Sequence, residues 1–359
     1  VENLDRISAS DRFPRRHCKI CRLVSGVLRE MKLEASDKNF NLISECPICG
    51  SSSIQDYYSL PYLESDVESY MVKYYNLNER KLSLEFKDIL KNQRYINAEC
   101  IRCKCVFQRN RPGPNIANLL YNEWIPSENS GFQAFNRYLM HDVLHHMSEA
   151  TKLVSLVQKT TRINSPHKLN TLDYGMGNGA FALSLKACLT NVYGTEYAND
   201  RIEFGQLNGI KTLYIEDDLP ASYFHIINTE QVMEHVPNPR EVISRLVRSL
   251  APNGILKISV PFSRSLETGD HAIDWVASRY GRRSPIPLAP LEHLQFYKKE
   301  TSNIIAKDHD LKIIHSPRLD HIKYASNISL RRLAINIGRT LLLNKMRNHT
   351  IYLKPSSCF

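Results

Sequence analysis

The stretch LDYGMGNGAFA, residues 172–182, joins a short apolar segment to a segment with helical character. It places Gly175, Gly177 and Gly179 at every second position. Because glycine has no Cβ atom, the backbone here can turn sharply and let a ligand approach the N-terminus of the following helix. The stretch therefore predicts a strand, a ligand-binding turn and a helix.

Short apolar segments alternate with helical ones on both sides of this turn. Room for a crossover helix separates successive segments, which is typical of an open parallel α/β sheet. Such sheets bind ligands at the carboxyl ends of their strands. The predicted strands are LNTLDY, NVYGTE, KTLYI, YFHIINT and ILKISV.

The segment NPREVISRLVRSLAPNG, residues 238–254, predicts one of these helices. Asn238 is expected to cap it, with Pro239 in the first position and Glu241 completing a capping box. Its buried stripe is expected to contain Val242, Ile243, Leu246, Val247 and Leu250. We expect the helix to end at residues 252–254 and a buried strand to follow over 255–260.

A second helix is predicted before the glycine turn, because apolar residues recur there every three or four positions. His141 and His145 share one of its faces, and with no acidic residue in register we interpret them as solvent-facing. The apolar positions are Phe132, Phe135, Leu139, Val143, Met147, Ala150, Val154 and Val157.

Two cofactor classes fit the glycine turn. The string matches G-x-G-x-x-A, and Glu196 lies 17 residues beyond Gly179, so the pattern alone admits NAD. Asp173 precedes Gly175 by two residues. Its carboxylate would repel a pyrophosphate and attract the ammonium group of S-adenosylmethionine. We therefore favour S-adenosylmethionine.

Acidic residues also follow the next two predicted strands. Glu196 ends the second strand, where it could accept hydrogen bonds from both ribose hydroxyls. In the acidic cluster at residues 216–218, Asp217 is our choice for the adenine amino group. The alternative is that these are ordinary acidic residues of strand-end loops.

Nine cysteines occur in the chain, seven of them in its first third. They form three C-x2-C pairs, in HCKIC, ECPICGSS and ECIRCKCVF. Two such pairs can supply the tetrahedral sulfur shell that zinc favours. The preferred set, typical of a zinc ribbon with a helical insert over 62–92, is Cys46, Cys49, Cys100 and Cys103.

Other pairings and roles stay open for the cysteines. Cys18 and Cys21 could instead pair with the second C-x2-C, form half of another site or be free. Four thiolates close the coordination shell, so we expect a structural zinc that stabilises the module. A catalytic zinc and unmetallated buried thiols are the alternatives.

Composition limits the class of protein. At 359 residues, 42% hydrophobic and 23% charged, the chain is neither collagen-like, disordered nor a coiled coil. No segment has the roughly 18 uncharged apolar residues of a membrane span, and no secretory signal is evident. The net charge of +10 favours anionic partners. Reduced cysteines suggest the cytoplasm.

Taken together, these motifs resemble those of a class I S-adenosylmethionine-dependent methyltransferase, and the resemblance covers about residues 129–355. The resemblance rests on LDYGMGNGAFA, on YFHIINTEQVMEHVPNPREVISRLVRSLAPNGILKISVP and on LEHLQFYKKETSNIIAKDHDLKII. EHVPNP and EHLQFY are similar to enzymes that methylate small molecules and sugars. The cysteine segments resemble the zinc-binding module fused to some of them, including nucleotide-sugar C-methyltransferases.

The resemblance implies a Rossmann-like seven-stranded sheet whose last strand is antiparallel. LKIIHS and HTIYLKP are the expected sixth and seventh strands, with a helix in ISLRRLAINIGRTLLLNKM between them. Two departures from the family occur. His225 stands where Asp is usual in the fourth strand, and Lys104 stands where Gly is usual in the second cysteine turn.

Methyl transfer from a sulfonium needs an acid or base only when the acceptor must lose a proton. His235 in MEHVP and His293 in LEHLQF are the candidate bases, with Glu234 or Glu292 orienting or replacing them. Alternatively, the EH pairs hold their loops together. Other residues expected near the acceptor are Tyr297, His271, Trp275, Arg279, Arg282 and Arg283.

The predicted organisation has three parts. Residues 1–115 form a cysteine-rich zinc-binding module, residues 116–167 a linker and amphipathic helix, and residues 168–359 the S-adenosylmethionine-binding domain with a substrate-covering insertion near 261–290. The predicted function is methyl transfer to a small molecule, a saccharide or nucleotide-sugar. An RNA or protein acceptor is the first alternative, although no concentrated basic stripe favours nucleic acid. A catalytically silent binding module is the second.

Overall fold

The computed structural model describes residues 39–75, 84–120, 140–215, 217–279, 281–314 and 348–356. Within residues 40–359 the chain forms one compact unit. The pair Cys18 and Cys21, the first residues of the predicted long helix and the segment ISLRRLAINIGRTLLLNKM lie outside the described residues. The three predicted domain boundaries stay predictions.

The cysteine-rich part contains a small antiparallel sheet with helices beside it. Strands β2, β3 and β4 pair in that order, and β1 pairs with β5. The described residues of the insert between the cysteine turns form two helices, and the first is capped by Ser65, whose Oγ accepts from the Val67 amide. The elements are β1 (Phe40–Leu42), β2 (Ile54–Pro61), α1 (Asp66–Tyr74), α2 (Leu84–Leu90), β3 (Arg94–Cys100), β4 (Val106–Gln108), β5 (Asn110–Pro112) and α3 (Pro114–Leu119).

A seven-stranded sheet follows, which confirms the predicted α/β class. The strands that continue the numbering are β6 (Asn170–Tyr174), β7 (Asn191–Glu196), β8 (Lys211–Tyr214), β9 (Phe224–Glu230), β10 (Leu250–Pro261), β11 (Gln295–Phe296), β12 (Leu311–Ile314) and β13 (Asn348–Pro355). All but β11 belong to this sheet, in the order β12-β13-β10-β9-β6-β7-β8. Strands β6 to β10 run parallel, and β13 is antiparallel to both of its neighbours, as the resemblance implied.

Helices cover both faces of this sheet. On one face, Leu153 and Phe181 pack against Ile226 and Ile255 of the central strands. His145 is exposed, as predicted. The helices are α4 (Met140–Thr161), α5 (Ala180–Ala187), α6 (Asn199–Leu207), α7 (Pro239–Ser249), α8 (Arg264–Glu267) and α9 (Lys299–Asp308).

Helix α7 starts where it was predicted and buries Ile243 and Leu246 of the predicted stripe, but it lacks the predicted capping hydrogen bond and ends earlier. Asn238 is at the N-cap, yet its side chain makes no capping hydrogen bond, so the predicted capping box is wrong. The helix stops at Ser249 because Leu250 is already extended and pairs with Phe224 of β9. Strand β10 thus begins earlier than residue 255, where we expected it.

The two-residue strand β11 joins the two sheets. Gln295 and Phe296 follow the seven-stranded sheet's fifth strand in the chain but pair with β4 of the cysteine-rich part. Gln108, fully buried on β4, reinforces this junction: its Nε2 donates to the carbonyls of Ala289 and His293 at 2.8 Å each. Its Oε1 accepts from the Leu291 amide. The loop before β11 is therefore held by the cysteine-rich part.

Arg111 extends the junction to the loop after β9. Its guanidinium is 5% exposed and donates to the carbonyls of Gln108 and Pro237 and to Oε1 of Gln295. Burial lowers the pKa of Arg111 to about 10, which still leaves it charged at neutral pH. One buried cation thus connects three separate segments of the chain.

Replacing Gln108 by Leu should lower the free energy of unfolding by about 3 kcal/mol or more, because three buried backbone groups lose their partner. Gln55→Leu, at an exposed position of the same small sheet, should change it by less than about 0.5 kcal/mol. Urea unfolding of both variants measures the difference. Equal stability of the two variants would contradict the role assigned to Gln108.

Candidate functional site

The turn between β6 and α5 adopts the conformation that its glycines permit. Gly175, Gly177 and Gly179 have φ angles of 70°, 55° and 74°, in the left-handed region. The Gly175 amide donates to Oγ1 of Thr195, and the Met176 amide donates to the Thr195 carbonyl. Strand β7 therefore holds the start of the turn in place.

Two of the glycines differ in their surroundings. A Cβ atom on Gly175 would lie 2.7 Å from Cγ2 of Val232, whereas one on Gly177 would meet no atom within 4 Å. The open space beside Gly177 lies at the carboxyl edge of the sheet. This is the position at which a ligand can approach the backbone closely.

Glu196 lies at the end of β7 and faces the same turn. Its Oε2 accepts from the Gly177 amide at 2.9 Å, and its Oε1 accepts from the Tyr197 amide at 2.8 Å. Arg201 of α6 lies 3.6 Å from the carboxylate. The structure therefore brings Glu196, at the predicted end of its strand, to the glycine turn.

Asp173 lies beneath the turn and is only 3% exposed. Its Oδ1 accepts from Nδ2 of Asn228 at 2.7 Å, and the Ala182 amide at the start of α5 also donates to the carboxylate. An anion at this end of a helix is favoured by the helix dipole. Asp173 of β6 thus hydrogen-bonds to both β9 and α5 at the carboxyl edge of the sheet, next to the open space beside Gly177, which we call the crevice.

Burial raises the pKa of Asp173 from 3.8 to about 6, against the lowering effect of the Asn228 hydrogen bond. Its folded-state pKa lies above its unfolded value, so the stability linked to this group is present below pH 3.8 and is lost as the pH rises through 6. The shift corresponds to roughly 3 kcal/mol. A cation bound in the crevice would offset this cost.

The third predicted acid is placed differently. Asp217 is exposed, and its carboxylate accepts from the amide of Tyr214, the last residue of β8. Glu216, in the same acidic cluster, lies outside the described residues. Contact between Asp217 and an adenine amino group stays a prediction.

A row of polar side chains that the sequence does not predict crosses the sheet beside Asp173. Glu230 at the end of β9 accepts from Nζ of Lys257 at 2.5 Å and from Oγ of Ser259 at 2.9 Å. Ser259 in turn contacts Thr350 of β13 at 3.1 Å. One signal was available, because Lys257 interrupts the apolar strand ILKISV and is 2% exposed.

The candidate catalytic residues lie together in space, Glu234 and His235 in the loop after β9 and His293 in the loop before β11. His235 and His293 pack edge to face with ring centroids 4.7 Å apart, and Nε2 of His235 is 3.8 Å from Oε1 of Glu234. Burial lowers the pKa of both histidines to about 4 and raises that of Glu234 well above its usual value. At neutral pH both imidazoles are therefore neutral and weakly basic.

Two of the residues expected near the acceptor, Trp275 and His271, pack on the cysteine-rich part. Nε1 of Trp275 donates to the Tyr58 hydroxyl at 2.8 Å, and His271 stacks on Tyr57. Arg283 pairs with Asp270 at 2.8 Å. The insertion near 261–290 thus contacts the small sheet through aromatic side chains.

Tyr297 and His225 are also accounted for by local contacts. The buried Tyr297 hydroxyl donates to the Met233 carbonyl in the loop after β9. Nδ1 of His225, at the position where the family usually has Asp, accepts from the Asn170 amide at 3.0 Å and so fixes the start of β6.

The four cysteines of the preferred pairing form one buried cluster. Their sulfur atoms lie within 4.8 Å of one another, with Cys46 to Cys103 and Cys49 to Cys100 at 3.5 Å each. Four sulfurs at about 2.3 Å from a tetrahedral zinc would be about 3.8 Å apart. The donor set and its spacing therefore fit zinc.

The two cysteine turns share a backbone conformation. Gly50 and Lys104 follow the second cysteine of each pair, with φ angles of 70° and 59°. Their amides donate to the carbonyls of Cys46 and Cys100, respectively, at 2.9 Å. Lys104 thus adopts the left-handed conformation for which the family usually has glycine.

Electrostatics within the cluster also favour a cation. A hydrogen bond from Cys103 lowers the pKa of Cys46, while the same interaction raises that of Cys103, and burial raises that of Cys100 to about 11. One thiolate is stabilised by its neighbours, and further thiolates would repel it. A divalent metal ion removes that repulsion.

Comparison with known proteins identifies the family to which these features correspond. The family described as "Methyltransferase domain" matches residues 132–316, just over half of the chain. Among curated proteins, the chain is similar to a ubiquinone biosynthesis O-methyltransferase of Rickettsia canadensis (strain McKiel), with 30% identity over 123 residues, 32% of this chain and 52% of that protein. The chain thus spans about half the length of that relative.

Two further similarities extend over more of the chain. A ubiquinone biosynthesis O-methyltransferase of Rickettsia conorii (strain ATCC VR-613 / Malish 7) is 23% identical over 230 residues, 60% of this chain and 78% of that protein. Among solved structures, the plantazolicin methyltransferase BpumL in complex with a monoazolic desmethylPZN analog and SAH is 18% identical. That similarity covers 67% of this chain and 94% of that one, with a TM-score of 0.44.

Replacing Gly175 or Gly177 by alanine should lower the free energy of unfolding by different amounts, because both changes strain the backbone and only the first also creates a steric clash. Gly177→Ala should lower the free energy of unfolding by about 1 kcal/mol, since only the positive φ opposes it. Gly175→Ala should cost at least about 1 kcal/mol more, because the new methyl group meets Val232. Chemical unfolding measures both, and a smaller effect at Gly175 would contradict the packing described.

Replacing Cys46 by Ser should remove one bound zinc per chain and lower the melting temperature. Cys188→Ser is the matched control, because Cys188 is a half-buried cysteine outside the cluster. Metal analysis of the purified proteins by mass spectrometry measures the difference. Equal zinc contents would show that the cluster is not a metal site.

Proposed function

The chain belongs to the methyltransferase-domain family, and from this we propose that it transfers a methyl group from S-adenosylmethionine to a small-molecule acceptor. The observation that carries the proposal is the glycine turn at the carboxyl edge of the sheet, with Glu196 bonded to the Gly177 amide and Asp173 buried beneath. In the proposed complex, Glu196 accepts from the ribose hydroxyls, and the methionine part follows residues 175–179.

The acid under the turn supports a cationic ligand over a dinucleotide. Asp173 has no basic residue within hydrogen-bond distance among its described contacts, and its ionisation is opposed by burial. A diphosphate would add further negative charge next to it, whereas a sulfonium and an ammonium group would stabilise its carboxylate.

The chain's role in the reaction is mainly positional. The donor carbon is already activated by the positively charged sulfur, so the protein must align it with the acceptor nucleophile. The rigid turn fixes the donor, and the loop with Glu234 and His235 borders the same edge of the sheet. Deprotonation by His235 or His293 stays a prediction: both imidazoles are unprotonated at neutral pH, but a pKa of about 4 makes each a weak base.

We propose a hydroxyl as the acceptor group. The curated relatives are named as ubiquinone biosynthesis O-methyltransferases, which describes methyl transfer to oxygen in those proteins. The acceptor we propose can be a saccharide, because EHVPNP and EHLQFY are similar to segments of enzymes that methylate small molecules and sugars. The comparisons do not point to a nucleotide-sugar. We propose the cytoplasm as the compartment because the thiols of the cluster must stay reduced.

Among the residues that the structure describes, no helix has the length and apolar character needed to span a lipid bilayer. The zinc cluster is proposed to be structural, since four cysteines leave no open coordination position.

Calorimetric titration tests the donor assignment. S-adenosylmethionine should bind, and its affinity should rise as the pH is raised from about 5 to 7.5, because the ionised form of Asp173 attracts the cation and its pKa is about 6. Asp173→Asn should bind at least about 10-fold more weakly and lose this pH dependence.

The matched control is Asp200→Asn, an exposed acid in the first turn of α6, which should bind the donor like the unmodified protein. NAD should show no binding under the same conditions. Tight binding of NAD, or equal donor affinity of the Asp173 and Asp200 variants, would overturn the proposal. A screen of hydroxylated small molecules with labelled donor then identifies the acceptor.

A further inference from the structure

Glu234 is an unusual buried group in the described part of the chain. It is 0% exposed, and neither of its carboxylate oxygens has a hydrogen-bond partner. A buried carboxylate without a partner is costly, and such groups are normally paired with a cation or coordinate a metal. We therefore looked to the side chains around Glu234 for groups that could hold a cation beside it.

Two imidazoles face this carboxylate. One ligand atom from each of Glu234, His235 and His293 lies within 4.8 Å of the other two. Nitrogen and oxygen ligands at about 2.1 Å from a tetrahedral ion are about 3.4 Å apart, so a small contraction of the cluster would complete a coordination shell.

The second hydrogen bonds of the histidines fix their tautomers. Nδ1 of His235 lies 3.2 Å from the Glu292 carbonyl, and Nδ1 of His293 contacts the Ile286 carbonyl. A carbonyl can only accept, so both Nδ1 atoms carry the proton and both Nε2 atoms present a lone pair. Metal-ligating histidines usually show this arrangement, with the other ring nitrogen donating to a carbonyl.

We propose that Glu234, His235 and His293 bind a divalent transition-metal ion, at a site separate from the cysteine cluster. Two imidazoles and one carboxylate match the preferences of zinc and cobalt more closely than those of magnesium or calcium. The three protein ligands leave a fourth position for water or another oxygen ligand. His235, with a quarter of its side chain exposed, provides the route of entry.

The proposed ion would connect two loops that already depend on each other. Glu234 and His235 follow β9, whereas His293 lies in the loop held by Gln108. The Leu294 amide donates to the Glu234 carbonyl at 2.7 Å, so the ligand backbones are fixed before a metal arrives. The site therefore requires little reorganisation to bind.

Metal loading of the full-length protein tests the proposal independently of methyl transfer. The protein is stripped with a chelator under reducing conditions, loaded with excess Co²⁺, desalted and analysed by mass spectrometry. The unmodified protein should retain one cobalt more per chain than Glu234→Gln. His349→Gln, which changes a half-buried histidine bonded to Ser302, should match the unmodified protein.

Absorption spectra separate the two sites. The thiolate-to-cobalt charge-transfer band should be unchanged in Glu234→Gln, because that variant retains the cysteine cluster, and lost in Cys46→Ser. Equal cobalt contents in the unmodified protein and Glu234→Gln would overturn the proposal.

The shift in melting temperature on adding metal is a second measurement, and it also detects a metal ion that binds too weakly to remain after desalting. Without metal, Glu234→Gln should melt no lower than the unmodified protein, because it removes an unpartnered buried carboxylate. Adding Zn²⁺ to the chelator-treated proteins should raise the melting temperature of the unmodified protein more than that of Glu234→Gln or His293→Gln, because all three bind zinc at the cysteine cluster and only the unmodified protein binds it at the proposed site. An equal response of all three proteins would contradict the site.

Discussion

The antiparallel pairing of Gln295 and Phe296 with β4 is the interaction on which the arrangement of the functional edge depends. It draws a loop of the large α/β part into the small sheet of the cysteine-rich part. Gln108 and Arg111 then satisfy backbone carbonyls of that loop and of the loop after β9. The cysteine-rich part therefore positions the residues that border the crevice and is more than an appended module.

The parallel strands of the large sheet bring the glycine turn and the acidic side chains together at its carboxyl edge. Strands β6 and β7 end beside each other, so that the left-handed glycine turn and Glu196 meet at one point. Asp173 lies under that point, where burial opposes its charge. A site built in this way favours a cation, because the bound cation restores the stability that ionisation removes.

Most strands of the large sheet, the position of Glu196 and the pairing of the cysteines could be predicted from the sequence. The strands were recognisable as apolar runs between turns, and β7 was predicted with its observed limits. The sequence also identified Glu196, since an acid directly after a parallel strand must lie at the carboxyl edge. The cysteine pairing was predictable for a similar reason, because each C-x2-C turn places two sulfurs on one side.

What the sequence could not show depends on register and on distant contacts. Strand β11 has two residues, and its partner Phe107 is 188 positions away, so no local pattern indicates it. The link from Glu230 to Lys257 follows from the alignment of β9 with β10, which periodicity does not define. Asn238 is at the N-cap as predicted, but its backbone there is not extended, with φ −119° and ψ 67°, and its side chain makes no capping hydrogen bond.

Hydrogen exchange measured by mass spectrometry, with and without S-adenosylmethionine, is the most direct test of where the donor binds. The account predicts slower exchange of the backbone amides at residues 175–179 and at Tyr197, with little change in the cysteine turns at residues 46–51 and 100–105. Protection confined to other segments, or none at saturating donor, would contradict the placement of the donor on the glycine turn.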